Sequence, residues 1–201
     1  LIEVRIHGRG GQGAVTTAEL LAQAAFFGGK YAQAFPSFGV ERSGSPVESY
    51  CRIDDKPIRL HQHIYNPDFL IVLDDSLFSV IDVCKGLKSP GGSADDSLYS
   101  DSNVCLQLSV AGAVLVASKK QASEFQQHVK GKVYVVDAYG IAEKIIGKPL
   151  VNTAMLGAFA KVTGVITLEN LEKAFASKFP SEVAKKNADA ARACFEQVLM
   201  Q

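Results

Sequence analysis

The feature that most restricts this chain is the run Gly8-Arg9-Gly10-Gly11-Gln12-Gly13 near its start. It stands straight after an alternating, β-branched stretch, Leu1-Ile2-Glu3-Val4-Arg5-Ile6-His7, and straight before apolar residues at helical spacing, Ala14, Ala18, Leu21, Ala22 and Ala25. A strand, a glycine turn and a helix in that order satisfy G-x-G-x-x-G in the setting where the pattern carries meaning. Glycines let the backbone turn tightly and approach an anion, while free amides and the positive end of the helix favour a phosphate. Two readings stand at this point: a phosphate-binding turn, and a tight β-to-α turn without a ligand. Gly28-Gly29 stops the helix and Lys30 to Phe35 reads as a second strand, so the chain opens as a βαβ unit.

Beyond it, Pro36 to Pro46 is a loop, Val47 to Ile53 alternates as a strand, and Asp54-Asp55 offers a turn into Pro57 to Leu60, which predicts a hairpin. Phe69 to Leu73 is a continuous apolar run ending in Asp74-Asp75, as expected of a strand buried on both faces of a parallel sheet. Val110 to Val116 and Val133 to Val136, the latter ending in Asp137, repeat the pattern, with a short helix between them over Gln121 to Val129. From Tyr139 the chain turns helical, over 141–146, 154–163, 168–179 and 183–199, with Pro180-Ser181 as the start signal of the last. The fold class is α/β: a Rossmann-like, three-layer fold with a mostly parallel sheet, a glycine-rich first turn and a helical C-terminal region. No repeat or linker divides residues 1–201, so one domain is expected.

The dinucleotide version of this fold needs an acidic residue about 20 positions after the turn for the ribose hydroxyls. Tyr31-Ala32-Gln33-Ala34-Phe35-Pro36 stands there instead, Glu19 lies inside the helix, and Glu41 lies in the following loop. No Gly-Lys-Ser/Thr follows the turn, so it is not a P-loop. The loop Phe38 to Pro46 should face the glycine turn, since ligands in open α/β sheets bind beyond the carboxyl ends of the strands. Arg9 and Arg42 would then both meet an anion; equally, Glu41 and Arg42 pair with each other or at an interface.

The 21 basic and 21 acidic residues balance to a net charge of zero, which argues against a nucleic-acid binder and a polybasic membrane anchor. Cys51, Cys84, Cys105 and Cys194 include no C-x-x-C pair, so the chain alone supplies no cluster or zinc-ribbon ligands. His61-Gln62-His63 lacks a third ligand nearby and reads as a surface turn. Asp95, Asp96 and Asp101 miss the spacing of a calcium loop, so Ser89 to Ser102 reads as a solvated insertion. No metal site and no catalytic residue is assigned. No stretch is long and apolar enough to span a bilayer, and the strand-like start without a leader pattern makes the cytoplasm the expected compartment.

Three longer blocks carry a family resemblance: Ile6 to Gly13, Tyr31 to Arg42, and Val151-Asn152-Thr153-Ala154-Met155-Leu156-Gly157-Ala158-Phe159. Together they resemble the gamma components of the pyruvate:ferredoxin oxidoreductases, and the opening His-Gly-Arg-Gly-Gly-Gln-Gly is more similar to the pyruvate branch than to the 2-oxoglutarate branch. The resemblance implies a non-autonomous subunit. Thiamine diphosphate, Mg and [4Fe-4S] clusters would sit on partner alpha, beta and delta subunits, with ferredoxin as acceptor, in agreement with the absence here of a Gly-Asp-Gly signature and of cluster cysteines. It further implies a role in assembly and on the coenzyme A side of the active site. Carried residue by residue, Gly8, Arg9, Gly10, Gly11, Gln12 and Gly13 form the phosphate turn, and Glu41, Arg42 and Ser43 the facing loop. A gamma subunit for another 2-oxoacid (2-oxoglutarate, 2-oxoisovalerate), a stand-alone nucleotide-binding module and a purely structural subunit are the competing readings. The polar stretch from Ser89 to Leu108 is longer than the family usually carries there.

Overall fold

The computed structural model describes residues 1–37, 43–89 and 112–198. Among these residues six strands form one sheet in the order β2-β3-β1-β4-β5-β6: β1 (Ile2–Arg9), β2 (Tyr31–Pro36), β3 (Pro46–Asp54), β4 (Phe69–Val72), β5 (Ala113–Ala117) and β6 (Val133–Val136). β4, β5 and β6 follow β1 in parallel, whereas β3 lies antiparallel between β1 and β2. The sheet is mostly parallel, as the sequence predicts. The opening strands do run the same way, but β3 is inserted between them rather than leaving them adjacent.

The predicted hairpin of 47–53 with 57–60 does not form. β3 pairs with β2 in a register that sets Tyr31 opposite Asp54 and Pro36 opposite Ser49, and residues 57–60 have no regular structure. The physical reason is a better offer for β3 on both sides: β1 takes one edge over eight residue pairs and β2 the other. The Asp54-Asp55 turn instead leads into coil, held by the Arg52 guanidinium donating to the Gln62 carbonyl at 2.7 Å.

Five helices cover one face: α1 (Ala14–Phe27), α3 (Ala138–Ile146), α4 (Val151–Thr163), α5 (Leu168–Lys178) and α6 (Ser181–Gln197). They bury Val4, Ile6, Cys51, Ile53, Ile71, Leu115 and Val136 of the sheet beneath residues such as Leu20, Leu21, Met155, Phe159, Phe175 and Cys194. α4 and α6 cross so closely at Gly157 that a Cβ there would stand 1.8 Å from the Ala191 carbonyl oxygen. Among the described residues the other face carries only the short α2 (Ala122–Gln126), a 3-10 turn at Asp75–Ser79 and coil, whose Leu77, Val83, Phe125 and Val129 cover Leu70, Val72, Val114 and Val116. Its β1–β3–β2 half is polar and aromatic instead. Arg52, fully buried, donates to Glu3 and Gln33 and stacks over Phe35 at 5.2 Å. His63 packs edge-on against Tyr50. No helix among the described residues is long and apolar enough to cross a membrane.

Candidate functional site

The loops after β1, β4, β5 and β6 gather at the carboxyl edge of the parallel strands, and the chain reverses its direction of travel across the sheet between β1 and β4. That switch point is where open α/β sheets place ligands. Here it is built by the glycine turn, by Leu73-Asp74-Asp75-Ser76 and by Asp137-Ala138-Tyr139.

The turn is shaped by two positive φ values, +97° at Gly11 and +82° at Gly13, in the left-handed region that favours glycine. Gly13 also touches α4, for a Cβ there would approach the Asn152 amide nitrogen to 2.6 Å. A Cβ on Gly11 would meet nothing within 4 Å, so this position opens outward. α1 begins at Gly13 with no side-chain cap, and the amides of Gly11, Gly13, Ala14, Val15 and Thr16 donate to no acceptor among the described residues. A row of donors on an uncapped helix start is an anion-binding arrangement.

Gln12 braces the turn from inside. Its Oε1 accepts the Arg9 amide at 2.7 Å, and its Nε2 donates to Asp74 Oδ2 at 2.9 Å and to the Tyr139 hydroxyl at 3.1 Å. The Tyr139 hydroxyl in turn donates to the Leu73 carbonyl at 2.9 Å. Arg9 also turns inward: its Nε lies 3.2 Å from Asp74 Oδ2, and its Nη atoms donate to Ser76 Oγ and to the Gly44 carbonyl. Gly10 and the loop before β3 clasp each other, Gly10 N to Ser45 O at 2.8 Å and Gly44 N to Gly10 O at 3.1 Å. The two loops therefore face one another as expected. Gly8 is packed between Ala14 and Leu73, and Ser43 is exposed on the facing loop. Glu41 and Arg42 lie outside the described residues, as do Cys105 and most of the 89–108 stretch.

Burial pushes the Asp74 carboxyl up, but hydrogen bonds from Ser76 and Gln12 and the charge of Arg9 outweigh it and hold the group below the usual carboxylate range. Burial, reinforced by the charges of Asp74 and Asp75, pushes the Tyr139 phenol up to about 12. At neutral pH the first stays ionised and the second protonated, so neither shuttles a proton. His7, below the turn on β1, is lowered to about 4 by burial and stays neutral. Its Nδ1 is the one buried side-chain polar atom without a hydrogen bond among the described residues, 3.7 Å from Glu48. This edge is equipped to bind and to hold shape rather than to move protons.

Sequence reasoning missed Asp74, Tyr139 and Asn152. A signal was present for the first two, because the apolar runs that make β4 and β6 end at Asp74 and Asp137, on the same edge as the glycine turn. His61 and His63 are exposed, and no group of three or more His, Cys, Asp or Glu able to hold a metal occurs among the described residues.

A family model described as pyruvate ferredoxin/flavodoxin oxidoreductase matches residues 3–197. The chain is 47% identical over 198 residues to pyruvate synthase subunit PorC of Methanothermobacter thermautotrophicus, covering 98% of this chain and 96% of the relative. It is 46% identical over 203 residues to the Thermococcus litoralis pyruvate/ketoisovalerate oxidoreductases common subunit gamma, covering 100% and 98%. Among solved structures, pyruvate oxidoreductase subunit PORC of Thermotoga maritima superimposes with a TM-score of 0.79 at 35% identity, covering 98% of this chain and 97% of that one.

Proposed function

The chain belongs to the pyruvate ferredoxin/flavodoxin oxidoreductase family as a gamma subunit of a 2-oxoacid:ferredoxin oxidoreductase, and from that premise we propose that it serves a pyruvate-using enzyme and presents its glycine turn to a coenzyme A phosphate. The observation that carries the second part is the unsatisfied row of amides at Gly11, Gly13 and the first turn of α1. Backbone donors suit a pyrophosphate without a ribose carboxylate, which this chain lacks. Arg9 takes the part of a brace in this reading, because Asp74 and Ser76 already hold its guanidinium. From the sequence, Arg42 is the cation that the opposite loop would offer the anion in this reading, with Glu41 and Ser43 its neighbours in the chain. Thiamine diphosphate, Mg and the iron–sulfur clusters belong to the partner alpha, beta and delta subunits, and the complex works in the cytoplasm.

Pyruvate is favoured by the names of relatives at 46–47% identity over nearly the whole chain. A second reading, one gamma chain shared by enzymes for pyruvate and for a branched 2-oxoacid, has a specific observation behind it: relatives equally similar carry the name of a common subunit. The test reconstitutes the assembled enzyme with Gly11→Ala, which puts a methyl group on the open side of the turn, and with Arg42→Ala. Arg42→Ala by removing a donor, and Gly11→Ala by holding the anion off the amides, should each raise the apparent KM for coenzyme A roughly 10- to 150-fold, the equivalent of about 1.5–3 kcal/mol for a hydrogen bond to a charged group, while leaving the KM for the 2-oxoacid unchanged. Unaltered coenzyme A dependence in both variants would sink the assignment. Activity with pyruvate and with 2-oxoisovalerate, after exchange of the partner subunits alone, separates the two substrate readings.

A further inference from the structure

Among the described residues the sheet ends on one side in a strand with an open edge: β2 is outermost and pairs with β3 alone. Ser37 N donates to the Glu48 carbonyl at 3.0 Å, one step past the Pro36–Ser49 pair, which makes Ser37 and Glu48 a hydrogen-bonded pair of the ladder. Such pairs alternate along an antiparallel ladder, so Phe35, Gln33 and Tyr31 bond inward to β3. Ala32 and Ala34 turn both N–H and C=O outward, and Pro36 turns out a carbonyl alone. Natural edges are protected by charges, bulges or cover. Tyr31-Ala32-Gln33-Ala34-Phe35-Pro36 holds no charged residue, and the lysine before it is engaged with Asp55 at 2.7 Å.

We propose that β2 pairs with β2 of a second copy of this chain, antiparallel about a twofold axis through Gln33. In this register Ala32 faces the partner's Ala34 and the reverse, and all four outward N–H and all four outward C=O groups of the two pairs of alanines find a partner. Moving the axis to Ala34 would set Ala32 against Pro36 and leave the Ala32 carbonyl without a donor, because proline has no N–H; with the axis at Gln33 it is the Pro36 carbonyl that goes without, since the Lys30 N–H opposite it is held by the Ala25 carbonyl at 3.0 Å. The two registers make the same number of ladder bonds.

The side chains decide for the axis through Gln33. On the polar face Gln33 meets its own copy, where two amides satisfy each other. Tyr31, 51% exposed, meets Phe35 on each side of the axis, an aromatic pair of the kind that stabilises cross-strand contacts. On the helix-covered face the small alanines let the strands close, and no like charges come together. A six-residue ladder alone buries less than the roughly 1,200 Å² of a stable interface. Phe26 and Phe27, 69% and 40% exposed at the end of α1 just before β2, are the apolar surface available to enlarge it.

The purified 201-residue chain tests this at micromolar concentration by size exclusion with light scattering. A mass twice the chain's 21.5 kDa is expected. Ala34→Pro should return it to one copy with an unchanged far-ultraviolet dichroism spectrum, since the N–H removed points away from β3. Gln33→Cys places two thiols directly opposite across the axis and should cross-link on mild oxidation. Tyr31→Cys, whose counterpart lies four residues along the partner strand, should not. The proposal fails if the wild-type chain is monomeric, if Ala34→Pro keeps the doubled mass, or if the two thiol variants cross-link equally. It also fails if the Gln33→Cys thiol in assembled enzyme captures a larger subunit and not a second copy.

Discussion

Replacing Asp74 by asparagine tests whether the carboxylate organises the switch-point edge. Asp74 Oδ1 accepts both the amide and the hydroxyl of Ser76, and Oδ2 accepts Gln12 Nε2 at 2.9 Å and lies 3.2 Å from Arg9 Nε. An asparagine oxygen can serve one of these two sets. Its NH₂ then points donor against donor at the other, and Gln12 cannot flip to help without losing the Arg9 amide. With Oδ1 kept toward Ser76, the loss is one neutral-donor bond to a carboxylate and one charged pair. At about 1.5–3 kcal/mol for a hydrogen bond to a charged group, discounted because the Asp74 side chain is 19% and that of Arg9 27% exposed, Asp74→Asn should cost about 2–3 kcal/mol. For a chain of this size that is a fall in Tm of roughly 4–12 °C.

The pH dependence follows from the direction of the shift. A carboxyl held below its unfolded value stabilises the fold fully above that value, about 3.9, and loses this contribution as pH falls through the folded value. The gap in Tm between wild type and Asp74→Asn should be full at pH 7 and 6 and shrink below pH 4. Paired calorimetric scans across that range decide it. A gap under 1 °C at pH 7, or one that persists undiminished at pH 3.5, would refute the reasoning.

Three further outcomes follow from the packing. Gly157→Ala must part α4 from α6 at the Ala191 carbonyl and should lower stability by about 3 kcal/mol, the upper range for overpacking, read as a shift in urea midpoint. Arg52→Ala strands the Glu3 carboxylate and the Gln62 and His63 carbonyls and should cost about 3–5 kcal/mol. Arg52→Lys should recover little of that, since a point charge cannot reproduce the fork; recovery to near wild-type midpoint would show that charge alone matters. Burial pushes the Cys51 thiol far up and raises Cys194 to about 12 and half-buried Cys84 to about 11. In the native chain at pH 8, mass spectrometry should find iodoacetamide on Cys84 ahead of the other two, with Cys51 and Cys194 modified only on unfolding.

What the sequence reveals of this fold tracks how local each determinant is. β4 and β6 are apolar runs with no competing pattern, and α6 announces itself by Pro180-Ser181 and its spaced alanines, so those elements were legible from a few neighbouring residues. The place of β3 between β1 and β2 was not, because it depends on pairings such as Ile2 with Ile53. The Asp54-Asp55 turn that misleads the eye is a real bend whose exit is decided by Arg52 reaching residues 62 and 63. The candidate site divides in the same way. The glycine turn is written contiguously, whereas Arg9 reads as an anion contact until Asp74, 65 residues on, is seen to hold it.

β1 lies between β3 and β4 at the middle of the sheet, and this fixes the order in which the chain can be assembled. β1, made before the other five strands, needs partners that end at residues 54 and 72, and the α4–α6 cover that seals its helix-side face is finished only at residue 197. At about 5–20 residues per second, the apolar side of β1 and α1 waits roughly 10–40 s for its lid. Nothing in the first third of the chain can form a closed core by itself, and the long-range pairings that complete the sheet are intrinsically slow to form. The soluble yield of this chain in a foreign host is therefore a kinetic quantity. It rises with slower synthesis, lower temperature and chaperones that shield the waiting strand, even when the folded state is unchanged.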